Sequence, residues 1–243
     1  MTPLLETRNI VKRYGAKTVV DGVSLCVAEG ECLGVIGPNG AGKTTLFNVI
    51  DGATSCDGGS LALAGEDVTR LAPYLRARRG IGRAYQVPRP FAGLSVFENV
   101  LAGAFNLPGA TAASARARAG EVLEEVGLSA RSEALAGTLP LLDRKRLELA
   151  KAMSVGGKVL LLDEIAGGLT DHEVYELVEI VKRLKAGRAV LWIEHIAHAL
   201  REVVDRILVL HFGTKLIEGA PAEVMADAKL REVYLGISVD DAA

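Results

Sequence analysis

One junction constrains this chain more than any other stretch of it. The apolar run Cys32-Leu33-Gly34-Val35-Ile36 passes directly into Gly37-Pro38-Asn39-Gly40-Ala41-Gly42-Lys43-Thr44, and Thr45-Leu46-Phe47-Asn48-Val49-Ile50 continues with helical character. The loop fits the phosphate-loop pattern, two glycines followed by Lys and Thr, in the strand-to-helix setting the pattern needs. Glycines let backbone N–H groups converge on phosphate oxygens without a Cβ in the way, and the helix N-terminus adds partial positive charge. The expected nucleotide-binding set is therefore Gly37, Pro38, Asn39, Gly40, Ala41, Gly42, Lys43, Thr44 and Thr45. Lys43 is expected to reach the β- and γ-phosphates of ATP, and the Thr44 hydroxyl to hold Mg²⁺.

A fold that presents such a loop is α/β, and the rest of the chain agrees. Short apolar bursts over residues 4–36 predict N-terminal antiparallel strands, and Ser60 to Ala64 predicts another. Near-continuous apolar runs at Val159–Leu162, Ala189–Ile193 and Ile207–Leu210 alternate with helical segments at Asp171–Lys185 and Ala197–Val204. That alternation predicts a parallel sheet covered on both faces. Between residues 87 and 152 the texture turns to Ala, Leu, Glu and Arg at helical spacing. The expectation is a single domain over 1–243: a nucleotide-binding core of 1–86 and 153–243, with a helical subdomain at 87–152.

Composition narrows the partners. A formal net charge of −2 lacks the basic excess of a nucleic-acid-binding body. No apolar run approaches the roughly 18 residues that cross a bilayer, and the N-terminus lacks a basic-then-apolar leader. The reading is a cytoplasmic chain that serves a membrane, if at all, through partners. Cys26, Cys32 and Cys56 show no metal spacing; Cys26 and Cys32, in apolar runs, are expected as small core residues.

Two further positions carry chemistry. The run Val159–Leu162 ends in Asp163-Glu164, and ligands of open parallel sheets sit beyond the carboxyl ends of the strands. Beside a phosphate loop, Asp163 is suited to order the water around Mg²⁺ and Glu164 to act as general base on the attacking water. A strand end meeting solvent is the plainer alternative. His195 follows the apolar run Ala189–Ile193 and is expected in the same crevice, although on spacing alone a lone strand-end histidine is more often structural. His195 and His198, one helical turn apart, are a weaker candidate metal pair with no third ligand nearby.

With these sites in this order the chain resembles the ATP-binding subunit of an ABC transporter, nearly end to end. The resemblance implies the ABC ATPase fold, with a P-loop NTPase core, and an ATPase coupled to transmembrane solute transport. It implies adenine stacking by Tyr14 and a loop glutamine at Gln86 that touches Mg²⁺ and links the nucleotide to membrane subunits. It also makes Asp163 the magnesium aspartate, Glu164 the catalytic glutamate and His195 the switch histidine. The stretches Arg79–Gln86, Leu94–Val100, Trp192–His195 and Glu232–Gly236 resemble the branch serving branched-chain amino acid importers. Partners implied are a second ATP-binding subunit, two transmembrane permease subunits and an extracytoplasmic solute-binding protein, with the chain on the cytoplasmic face of the inner membrane.

The chain departs from the family at the Leu-Ser-Gly-Gly-Gln signature, which caps ATP held by the opposite subunit. Here it reads Leu139-Pro140-Leu141-Leu142-Asp143. The serine hydroxyl is gone, Pro140 has no N–H, and leucines replace the glycines. Asp143 is expected to cap the helix and to repel a γ-phosphate. The expectation is a heterodimer in which a sister chain supplies a normal signature. Thr170, where the family often has an acid or amide, is read either as a cross-subunit hydrogen-bonding group or as a helix cap. Arg70, Arg76, Arg78, Arg79, Arg83 and Arg89 lie between Asp67 and Glu98 with no acid among them, and most are expected on a solvated face. The loop Gln86–Phe91 is the candidate permease contact. Two other readings are a soluble ABC ATPase acting on nucleic acid or ribosomes, and a nucleotide-binding regulatory subunit that never hydrolyses.

Overall fold

Two burial patterns build two sheets. In the computed structural model, which describes residues 3–195, 201–227 and 230, strands β1 (Leu5–Tyr14), β2 (Lys17–Val27), β4 (Gly58–Leu63) and β5 (Glu66–Asp67) pair antiparallel in the order β2-β1-β4-β5. Strands β3 (Cys32–Ile36), β6 (Ile81–Ala84), β7 (Val159–Asp163), β8 (Ala189–Ile193), β9 (Arg206–His211) and β10 (Thr214–Gly219) form the second sheet, ordered β10-β9-β3-β8-β7-β6. All its pairings are parallel except the β9–β10 hairpin. Every residue of β3, β7 and β8 is buried, as expected of central parallel strands covered on both faces.

Alternate side chains of these strands divide the core. Leu33, Val35, Leu161 and Leu191 pack with the antiparallel sheet and with Leu46 and Phe47 of helix α1 (Lys43–Asp51). Cys32, Leu160, Leu162, Val190 and Trp192 face the other way. There they meet helices α3 (Val96–Ala104), α5 (Leu141–Ser154) and α6 (Asp171–Leu184), with α4 (Ala112–Glu125) completing that layer. Helix α2 (Pro73–Arg78) leads into the edge strand β6. Cys26 departs from expectation. It is exposed, because β2 turns Leu25 and Val27 inward and Cys26 outward, whereas Cys32 is fully buried. His198, Glu232–Gly236 and part of the expected helix Ala197–Val204 lie outside the described residues.

The strand order sets the site. Gly37 directly follows β3, Asp163 ends β7, Gln86 lies two residues beyond β6, and His195 lies two beyond β8. All four strands are parallel, so these residues emerge at one edge of the sheet.

Candidate active site

Backbone crowding dictates the glycines of the loop. A Cβ on Gly37 would stand 2.2 Å from the Leu210 carbonyl oxygen, and one on Gly42 would stand 2.5 Å from that of Val19. Gly42 also holds φ at 104°, a left-handed conformation costly for any other residue. Helix α1 begins at Lys43. The Lys43 ammonium donates to the carbonyls of Gly37 at 2.7 Å and Pro38 at 3.1 Å. Burial lowers its pKa, with Glu164 and Asp163 working in the opposite direction. Val19, Asn39, Gly40 to Thr45 and Glu164 line one concavity. Tyr14 ends β1, half exposed beneath the Lys12 ammonium at 5.4 Å, and is not among those lining residues.

Glu164 is held in a strained backbone, φ 49°, by its N–H donating to the Ile193 carbonyl at 2.8 Å. Its two carboxylate oxygens are shared out. The Gln86 amide donates to Oε2 at 2.6 Å, and His195 Nε2 lies 2.8 Å from Oε1. Three residues chosen far apart in sequence thus meet at one carboxylate.

Asp163 is buried and engaged by a residue that sequence reasoning left on a solvated face. Arg83 donates to Asp163 Oδ2 at 2.6 Å, to Asp51 Oδ2 at 2.6 Å and to Asn48 at 2.7 Å. Its guanidinium also lies 4.8 Å from the Tyr85 ring centroid. Burial opposes the charge, but the hydrogen bonds Arg83 donates to Asp51 and Asp163 outweigh it and hold the pKa above its ordinary value. Arg76 is buried too, donating to the carbonyls of Val49, Ile50, Thr69 and Leu71. The available signal was positional: an arginine inside the apolar strand β6, beside the strand that carries Asp163. Glu194 was also missed. It is buried and accepts the N–H groups of Ala166 at 2.9 Å and His195 at 3.0 Å. Burial pushes its pKa up against those two bonds.

The oxygen donors at this edge, the exposed Thr44 hydroxyl and the Asp163 carboxylate, suit a hard cation such as Mg²⁺, which keeps several waters and binds phosphate. Asp163 Oδ1 is the oxygen not engaged by Arg83, and the Gln86 side-chain carbonyl is a further oxygen donor beside Glu164.

The signature segment is built differently. Pro140, not Asp143, occupies the cap position of α5, with no side-chain cap bond. Asp143 lies in the first helical turn, buried, and pairs with Arg131 at 2.9 Å and Arg146 at 3.2 Å. Arg146 in turn reaches Glu176 of α6. The expected cap and the expected free negative charge are therefore both corrected: chain direction places Asp143 inside the helix, where two arginines neutralise it. Leu139 and Leu142 are buried while Leu141 is exposed. Of the two readings of Thr170, the helix cap is formed: Thr170 and Glu173 make a reciprocal capping box at the start of α6.

The family model for ABC transporters matches residues 20–167, more than half of the chain. The chain belongs to the ABC transporter family. Relatives include the lipopolysaccharide export system ATP-binding protein LptB of Escherichia coli, 34% identical over 96% of this chain and 97% of that one. The high-affinity branched-chain amino acid transport ATP-binding protein BraF of Pseudomonas aeruginosa is also 34% identical, over 96% and 98%. Among solved structures, the ADP conformation of an ATP-binding cassette of an ABC transporter superposes with TM-score 0.87 at 31% identity, covering 98% of this chain and 100% of the other.

The expected ABC ATPase fold is thus the fold observed, and the chain is an ATP-binding ATPase subunit that powers a transporter. Such subunits dimerise and work with transmembrane permease partners. Among the described residues no helix is long and apolar enough to cross a membrane. The amino-acid branch does not stand apart at this level of identity, since LptB and BraF match equally well.

Proposed function

We propose that this ABC ATPase powers an importer of branched-chain or other hydrophobic amino acids from the cytoplasmic face of the inner membrane. In that role it works with two permease subunits and an extracytoplasmic solute-binding protein. Four stretches of sequence texture support the branch, together with the identity to BraF along nearly the whole chain. The match to LptB favours a competing reading, energising lipopolysaccharide export. Deleting the gene and following uptake of labelled leucine separates them. Lost uptake is expected; intact uptake with defective lipopolysaccharide export would replace the import reading.

The observation that carries the catalytic part is the Glu164 carboxylate, bracketed by Gln86 and His195 at the edge of the phosphate-loop concavity. Loop amides of Gly40 to Thr45, with Lys43, cradle the phosphates, Gly37 and Pro38 anchor Lys43, and Tyr14 stacks on adenine. Mg²⁺, held by Thr44, Asp163 and Gln86, supplies charge neutralisation for the phosphates when bound. Glu164 takes the proton of the attacking water. The Gln86 amide and the His195 ring, one on each oxygen, fix the orientation of that carboxylate. The test is Glu164→Gln, expected to retain ATP binding and to lose hydrolysis by a factor of about 10² or more. Near-normal turnover in that variant would refute the assignment.

The altered signature supports a heterodimer. One site would pair this chain's phosphate loop, Glu164 and His195 with a normal signature from a sister ATPase. The other would rely on Leu139, Pro140, Leu141, Leu142 and Asp143, and would hydrolyse poorly. No nucleic-acid partner is proposed for a chain of net charge −2.

A further inference from the structure

Gln86 presents its side chain to Glu164 from a loop, and what fixes that loop is a buried cation on the signature helix. Lys145, the fifth residue of α5, is only 2% exposed, and its ammonium donates to the backbone carbonyl of Gln86 at 2.6 Å. The same helix grips the loop again three residues on. The Arg89 N–H donates to the buried Glu148 carboxylate at 2.6 Å, and Lys151 donates to the Arg89 carbonyl at 2.7 Å and to Glu148 at 2.8 Å. Asn99 of α3 closes the far end, bonding both the N–H and the carbonyl of Phe91.

Placing an ammonium in the interior is unfavourable unless its hydrogen bonds and neighbouring charges compensate. Glu194, Glu148 and Glu164 supply the surrounding negative field, and burial is the larger influence against it. The sequence of contacts is continuous: α5, the Lys145 ammonium, the Gln86 carbonyl, the Gln86 amide, the Glu164 carboxylate, the His195 ring.

We propose that Lys145 is a positioning residue for hydrolysis, locking the Gln86 backbone so that its side-chain amide meets Glu164 and tying the catalytic carboxylate to the signature helix. The inference rests on the assignment of Gln86 and Glu164 made above. Lys145 has no place in the phosphate-loop concavity, so its loss is to act on turnover and not on nucleotide affinity.

The experiment is a double-mutant cycle of K145M and Q86A, read as kcat and KM for ATP in the assembled transporter. Methionine keeps most of the lysine's volume and removes the donor. Lys145→Met is expected to lower kcat about tenfold with KM within about twofold, because a displaced catalytic neighbour costs rate before it costs binding. In the Q86A background the same change is expected to have no further effect, since the side chain it positions is gone. A purely structural lysine would instead lower kcat by the same factor in both backgrounds, or raise KM with it, and either result overturns the proposal. Lys145→Gln, which keeps a donor, serves the same cycle if K145M does not accumulate; a smaller loss is expected, and additivity again contradicts. If Q86A alone leaves kcat unchanged, the reading of Gln86 itself falls, and this inference with it. If Q86A lowers kcat and K145M does not, only the inference falls.

Discussion

The phosphate loop and the start of helix α5, where the family pattern places its signature, are built oppositely in this chain. At the loop, Gly37 and Gly42 cannot carry a Cβ because the carbonyls of Leu210 and Val19 crowd them, so the geometry that aims N–H groups at phosphate is enforced from behind by β9 and β2. At the start of α5 no such enforcement exists. Pro140 removes a donor, Leu141 projects outward, and Asp143 is turned inward onto Arg131 and Arg146. This contrast is what supports the proposed heterodimer.

The largest effect that would break the contrast is at the loop. Gly42→Ala must displace the Val19 carbonyl and hold a left-handed φ, so ATP binding by calorimetry should be lost. Affinity within a few-fold of the parent would show that the crowding is not what fixes the loop. Arg83→Gln comes next. It leaves Asp51 and Asp163 facing each other without their shared cation, and urea unfolding should show a loss of about 3 kcal/mol. An unchanged midpoint would mean that the two carboxylates find other partners.

The signature comes next, and there the expected effect is on turnover. Converting Leu141-Leu142 to Gly-Gly should leave the affinity of the chain's own phosphate loop for ATP unchanged, and should raise hydrolysis by the pure chain as close backbone approach to phosphate is restored. No gain would move the defect from these side chains to Pro140. The smallest effect is at Thr170. Thr170→Ala should lower the thermal midpoint slightly while leaving hydrolysis intact, because the residue is engaged in its own helix cap. The backbone and hydroxyl of Thr170 depress the Glu173 pKa. The benefit of that cap is therefore full above the unfolded carboxylate range and is lost as pH falls through the lowered folded value, so the penalty of T170A should shrink in acid.

Much of the site was legible because its chemistry is local in sequence. The loop from Gly37 to Thr44 and the pair Asp163-Glu164 each sit at the end of an apolar strand, and strand ends of a parallel sheet share an edge. What sequence did not yield depends on pairing between distant strands and helices. Arg83 reads as one arginine of six until β6 is laid beside β7, where it falls against Asp163. Asp143 reads as a cap until the helix is seen to begin at Leu141. Cys26 reads as core until the alternation of β2 turns it outward. Lys145 gave no signal, since a lysine among charged residues on a helix is ordinarily solvated.

The measurement that tests the asymmetry most directly is Mg-ATP hydrolysis by the pure chain across protein concentration, alongside ATP binding. The account predicts a chain that binds ATP yet shows a flat, near-zero rate per molecule until a sister ATPase supplies the missing cap. A specific rate that climbs with concentration in the pure chain would contradict it, because two copies facing each other would then form working sites with Leu139–Asp143 as the cap.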